Sequence, residues 1–171
     1  VIGEVTLTVY EVKLTELVIT KNPTKLVYNA FEEFDKTGIE VTAKYNDGSS
    51  KVVTDFNVTG EVLVSSPYVK IEYDGLITQL ELTVNKINPT INPFVENNQI
   101  FISSKKPTLY LESLDTPGVI DWNNEPIVVG KKQYSYTFIP SDQVNYNSVK
   151  GTLELEVLAL SISRLELVTN P

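Results

Sequence analysis

The chain has no cysteine, no histidine and no methionine among its 171 residues. Without cysteine it can form neither disulfides nor thiolate metal sites, and cysteine usage reports nothing of the redox compartment. Without histidine, the usual zinc chemistry, Ser-His-Asp and Cys-His catalysis and histidine pH switching are all removed. No apolar run approaches the roughly 20 residues needed to cross a bilayer, so no membrane insertion is expected of this segment, and no signal peptide opens it. The chain starts on Val1 and lacks Met, so the expectation is a piece excised from a longer protein, with any targeting segments outside it. Positive charge is sparse as well, with 14 Lys and Arg against 22 Asp and Glu and a net charge of -8. The lysines are scattered, so the basic footprint that nucleic acid requires is missing. Acidity of this kind keeps a chain soluble and self-repelling, consistent with a monomer, and cation binding is its sharper reading.

What is present favours sheet. Hydrophobic residues make up 42% of the chain and nine are tyrosines, with Val, Ile, Leu and Thr dominating the rest. The hydrophobic period is almost everywhere two. In "GIEVTAKY", Ile39, Val41, Ala43 and Tyr45 share one face, while Glu40, Thr42 and Lys44 share the other, the pattern of a strand with one wet side. Asn46, Asp47 and Gly48 then supply a turn before "SSKVVT" resumes the alternation. Asp74 and Gly75 do the same inside "VKIEYDGLITQLELTV", where Val69, Ile71 and Tyr73 precede the turn and Leu80, Leu82 and Val84 follow it on one face. The only helix-like stretch, "NAFEEFDKTG", is short and uncapped at its start; it reads as a turn-rich connection with Phe31 and Phe34 both tucked under the sheets.

"NKINPTINPF", residues 85–94, carries Pro89 and Pro93, each after Asn. Proline bars a central strand and pushes its predecessor toward extended backbone. The segment is therefore either a stiff connection between two modules or an edge strand opening the second. The second half keeps the strand habit in "PTLYLES", "GVIDWNN", "KQYSYTFIP" and "TLELEVLAL", the last two with Tyr134, Tyr136 and Phe138, then Leu153, Leu155 and Val157, facing inward. Many short strands about ten residues apart, with turn signals between them, indicate an all-β sandwich or barrel, and the lack of helices excludes a parallel α/β sheet.

The two ends repeat one another. "GEVTLTVYEVKLTELVITKNP", residues 3–23, aligns without a gap on "GTLELEVLALSISRLELVTNP", residues 151–171, with six identities in 21 positions. The shared apolar phase and the shared Asn-Pro ending favour a true repeat over two generic strands in register. The repeating unit is then about 148 residues long and holds two unlike modules. Residues 1–12 correspond to the last strand of a preceding repeat or an N-terminal extension, and residues 161–171 to the first strand of a following one. In that register Leu165 and Leu167 would face as Leu17 and Ile19 do.

Asn22 to Lys25, Tyr28, Phe34, Asp35, Thr37, Gly38, Val41, Tyr45, Asp47, Gly48, Val58 to Gly60 and the closing "VKIEYDGLITQLELTV" form an ordered string across residues 13–86. In that string the segment resembles the bacterial immunoglobulin-like domain of group 3. Residues 87–160 resemble a second bacterial surface-protein β-sandwich repeat with an F-x-P-x-D-x-x-N-Y signature, here Phe138, Pro140, Asp142, Asn145 and Tyr146, with Gly118 and Trp122 upstream. The resemblance implies an all-β fold of two tandem immunoglobulin-like β-sandwich modules on the bacterial cell surface or secreted. It also implies a stalk or spacer that serves adhesion, with neighbouring repeats as partners.

The residues themselves need no chemistry to explain them. Trp122 is expected as a core anchor, Tyr146 as a ring folded back with its hydroxyl on backbone, and Asp142 as the cap of a turn. Asp115, Asp121 and Asp142 are the carboxylates that loops could bring together for calcium or glycosidase chemistry, but no D-x-D-x-D-G string is present. A Lys to Asn isopeptide bond lacks an obvious internal Asn on either closing strand. The sequon at Asn57 to Thr59 reads more simply as strand. No catalytic, cofactor-binding or metal-binding residue is assigned, no cofactor is expected, and the chain is not read as an enzyme. The rival readings are a module that binds host protein or glycan through Tyr68, Trp122 or Tyr146 at loop tips, and the accessory spacer of a secreted enzyme.

Overall fold

The computed structural model describes residues 3, 5–96, 99–102 and 105–161, with the backbone alone at 112–114. The chain is all-β: the described residues form fourteen strands, and none of them lies in a helix. It divides into two compact units, Val1–Lys86 and Ile87–Pro171. The residues 162–171 expected to form a following strand lie outside the described residues. No helix among the described residues is long and apolar enough to cross a membrane.

The first unit contains Leu14–Lys21 (β1), Val27–Asn29 (β2), Glu40–Tyr45 (β3), Ser50–Val53 (β4), Asn57–Thr59 (β5), Tyr68–Tyr73 (β6), Leu76–Glu81 (β7) and Thr83–Asn85 (β8). They form antiparallel sheets in the orders β1-β3-β4 and β5-β6-β7, and a parallel pair of β2 with β8. The alternation read from the sequence sets which side chains are enclosed. Val41, Ala43, Val53, Val69, Ile71 and Leu80 are buried from the two sheets into one core with Leu17, Tyr28 and Leu82, as in a β-sandwich. Each buried Val, Leu or Ile side chain of this set contributes about 1.5–3 kcal/mol. The turns are where Gly and Asp place them. Asp74 and Gly75 both take positive φ, 47° and 81°, the conformation a two-residue hairpin needs to match strand twist. At the other hairpin Asp47 Oδ1 accepts hydrogen bonds from Ser49 N at 2.9 Å and Ser49 Oγ at 2.6 Å.

Two details depart from expectation. The run after Gly75 is not one strand: Leu82 interrupts it, its amide donating to Pro67 O at 2.8 Å. The chain thereby changes partner from β6 to β2. Phe34 packs against the core and lies 5.8 Å from the Tyr28 ring, but Phe31 is not tucked under the sheets. It is 49% exposed and sits at a φ of 66°, a rare conformation for a bulky residue. The amides on either side account for this. Ala30 N donates to Asn85 O at 2.9 Å, Phe31 N to Val62 O at 2.7 Å, and Glu32 N to Asn29 O at 3.1 Å, so the backbone is pinned in a turn that aims this ring outward.

The second unit contains Ile91–Phe94 (β9), Gln99–Phe101 (β10), Tyr110–Leu114 (β11), Gly118–Trp122 (β12), Gly130–Pro140 (β13) and Val149–Leu158 (β14). Its main sheet runs β10-β14-β13-β12, and β9 pairs with β11. Of the two readings of residues 85–94, the strand applies to Ile91–Phe94, and Pro93 is accommodated because among the described residues that sheet has only two strands, both of them edges. Tyr134, Tyr136, Phe138 and Pro140 of β13 are all buried on one face. Glycines on the flanking strands make room for the rings. Gly151 pairs with Tyr136, and the Tyr136 hydroxyl end fills the place a Cβ there would take. Gly118 lies where a Cβ would be 2.5 Å from both Phe138 Cζ and Ile139 O.

Candidate functional site

The most organised polar cluster is the turn after β13, where the F-x-P-x-D-x-x-N-Y signature falls. Pro140 ends the strand, since it offers no amide to continue a ladder. Asp142 then ties the next four residues together. Its Oδ1 accepts from Val144 N at 3.1 Å and Asn145 N at 3.0 Å, and its Oδ2 accepts from Asn145 Nδ2 at 2.8 Å. Tyr146 N donates to Asp142 O at 3.1 Å, and the Tyr146 hydroxyl donates to Asp115 O at 3.4 Å. The start of the unit is fastened to the same turn, with Ile87 N donating to Asn145 O at 3.0 Å and Asn147 N to Ile87 O at 2.8 Å. The signature residues therefore form a corner that locks the opening of the unit onto its last hairpin. Burial, with the carboxylates of Asp115 and Asp142 nearby, raises the Tyr146 hydroxyl above its ordinary value of 10.0.

This geometry makes Asp142 a structural residue. Asp142→Ala is expected to lower stability by about 1.5–3 kcal/mol, the cost of a lost set of charge-assisted hydrogen bonds. Asp142→Asn, which keeps one carbonyl acceptor, should recover part of that. Chemical denaturation followed by Trp122 emission checks both.

The three candidate acids do not form one site. Asp115 Oδ2 accepts from Thr90 N at 2.8 Å, Asp142 is engaged within its turn, and Asp121 sits in β12 opposite Thr137. Among the described residues no group of three Asp or Glu is arranged to hold a metal ion. The aromatic residues proposed for loop tips are placed otherwise. Tyr146 is buried, Trp122 is half-buried with its Nε1 donating to Pro107 O at 2.7 Å, and Tyr68 begins β6. Trp122 packs on the core of Tyr134, Leu155 and Val157, with the Lys106 ammonium 5.8 Å from its ring centre. The sequon at Asn57 to Thr59 is strand β5.

A concavity that sequence reasoning missed lies on the first unit. Phe31, Glu33, Phe34, Gly60, Glu61 and Val62 line a space of about 300 Å³. Its signal is the left-handed backbone at Phe31, which residue type does not announce. Glu32, which also lines it, pairs with the Lys25 ammonium, which lies 4.6 Å from the Tyr28 ring centre. The pair lowers the Glu32 carboxyl and raises the Lys25 ammonium from their ordinary values, chiefly through their mutual hydrogen bond.

The largest electrostatic perturbation is at Glu125. The Ser135 backbone amide donates to it at 3.0 Å, the Ser135 hydroxyl and the Lys132 ammonium add to this, and its carboxyl is lowered from 4.5 to about 2. A carboxyl depressed in the folded state stabilises it above pH 4.5, and that contribution is lost as pH falls toward 2. Glu32, Asp35 and Asp47 are lowered in the same direction by their own hydrogen bonds. With no histidine, stability is expected to be flat from pH 6 to 8 and to fall on acidification below about 4.5. Thermal melts across pH check this, and the gap between the parent and Glu125→Gln should close as pH falls toward 2.

No family model matches the chain, and no curated protein matches it.

Proposed function

We propose that the chain is a non-catalytic repeat segment of a bacterial cell-surface protein, a stalk or spacer that serves adhesion. Its two units act as immunoglobulin-like modules, the first of the group 3 bacterial type. One observation carries the reading: in each unit a short early strand pairs parallel with the last strand among the described residues, β2 with β8 and β10 with β14. In a parallel pair the early strand begins at one end of the ladder and the last strand leaves at the other. Tension along the chain therefore slides the two past each other and loads the pairs Val27 with Thr83, Tyr28 with Val84 and Asn29 with Asn85 together. A hairpin pulled from its open end instead yields one bond at a time. Load shared in this way suits a part whose task is to keep a distance under force.

Single-molecule pulling tests this, and the absence of native cysteine allows attachment points to be chosen freely. Pulled through positions before β1 and after β8, the first unit should yield at a clearly higher force than when pulled through Gly48 and Gly75, at hairpin tips. Equal or lower force along the chain axis would remove the stalk reading.

A second reading, a protein- or carbohydrate-binding module, is favoured by Phe31. Its ring is 49% exposed in a concavity that Glu33 and Glu61 also line, and an aromatic edge with hydrogen-bond acceptors beside it suits a sugar ring. A glycan array with no hits for the parent chain, or with hits unchanged by Phe31→Ala, counts against it.

A further inference from the structure

Residues 5–12 carry an apolar row that the structure leaves uncovered. Val5, Leu7 and Val9 are 90%, 83% and 81% exposed, and none of residues 5–12 is in a strand. Their counterparts in the end-to-end alignment are Leu153, Leu155 and Val157 of β14, of which Leu155 and Val157 are 0% and 1% exposed.

The alignment extends back to the first residue, and β14 gives it a face. Val149, Gly151, Leu153, Leu155 and Val157 alternate toward the core; the residues aligned with them are Val1, Gly3, Val5, Leu7 and Val9. Four of these five pairs are identical, at Val1, Gly3, Leu7 and Val9, and the fifth exchanges Leu for Val. On the outward face, Lys150, Thr152, Glu154, Glu156 and Leu158 meet Ile2, Glu4, Thr6, Thr8 and Tyr10, with no identity. Two generic strands in phase would share apolar character on one face but would not confine identity to it. The glycine is a telling position. At Gly151 the Tyr136 ring fills the space a Cβ would take, and the N-terminal segment has glycine at the matching place.

We propose that this segment, centred on residues 5–10, is a second β14: a donor strand that completes a sheet of the second-unit type in another copy of the repeat. It rests on the tandem-repeat reading above. The register follows from the resident strand. Val5 would lie beside a Tyr134, Leu7 beside a Lys132 and Val9 beside a Gly130 on one side, with Val9 beside an Ile100 on the other, as Leu153, Leu155 and Val157 do. Adding a strand by backbone pairing, with alternate side chains filling the core, is a known mode of assembly, and exchange of an identical element between copies needs no new contact chemistry.

The test places residues 87–150 directly ahead of Gly3 in the full chain, so that the added strands can close only on the donor segment. Trp122→Phe in the resident copy leaves the single Trp in the added one. The resident unit, closed by its own β14, is the reference within the same molecule. Amide exchange at residues 5–9 is expected to slow by about 100-fold or more relative to the parent chain, with Trp emission of the added copy matching that of the parent. Leu7→Asp should abolish both while leaving resident β14 protected. Exchange at 5–9 unchanged from the parent while resident β14 stays protected overturns the proposal, as does added-copy Trp emission that is native with Leu7→Asp in place. The pulling experiment is independent: a unit that yields easily along its axis removes the stalk and leaves the donor strand standing, and the reverse result separates them equally.

Discussion

Phe138→Ala is expected to cost about 3–5 kcal/mol, enough to unfold much of the second unit at moderate temperature. The ring is fully buried, and β13 carries it between β12 and β14, so truncation leaves a cavity that two hydrogen-bonded neighbours hold open. The same contact can be broken from the other side. Gly118→Ala would drive a methyl to 2.5 Å from the ring and from a backbone oxygen. Because the oxygen belongs to a paired strand it cannot swing away, and overpacking of this kind costs about 1–3 kcal/mol or more. Combined, the two changes should be less than additive, since the alanine at 138 vacates the space that the alanine at 118 needs. The chain's single tryptophan lies in this unit, so urea titrations followed by Trp122 emission measure all three variants. Additive losses would show that Gly118 matters through the Ile139 carbonyl alone.

Tyr28→Ala should have a comparable effect on the first unit, about 3–5 kcal/mol. Its ring is 1% exposed within the core. Its hydroxyl accepts from Asp35 N at 3.2 Å and is placed to donate to Lys25 O at 3.3 Å, so it also fastens the loop that carries Phe34. Tyr28→Phe keeps the packing and leaves the Asp35 amide without this acceptor, for a loss of about 1–3 kcal/mol. Tyr28 belongs to β2, which pairs with the last strand of the unit. The alanine variant should therefore also lower the force at which the unit yields along its axis. Far-ultraviolet circular dichroism against temperature separates loss of the first unit from the Trp122 signal of the second. A first unit that melts unchanged in the alanine variant would show that the ring is not the keystone its burial implies.

Much of the fold was legible because a strand buried on one side writes its orientation into the chain every second residue. Val41 and Ala43, Val69 and Ile71, Tyr134, Tyr136 and Phe138, and Leu155 with Val157 are all enclosed as their alternation requires. The turns at Gly48 and at Asp74 with Gly75 were equally plain, since positive φ falls to Gly, Asn and Asp. Asp142 and Tyr146 were legible as a corner because an Asx turn and a buried phenol have local sequence signals. Phe31 was not. Its outward ring follows from hydrogen bonds to Asn85 and Val62, residues far along the chain that leave no mark on the period around position 31.

The sequence by itself determined that this protein is built of strands, which face of most of them is dry, and where the chain reverses. These are local properties, set by side-chain alternation and by the few residues that tolerate unusual backbone. Only the tertiary structure decided which strands are neighbours. The break at Leu82 that hands the chain from β6 to β2, and the parallel closures of β2 on β8 and β10 on β14, join segments distant in sequence. Periodicity says that a strand has a buried face but not whose backbone completes its ladder, because every strand edge offers the same amides and carbonyls.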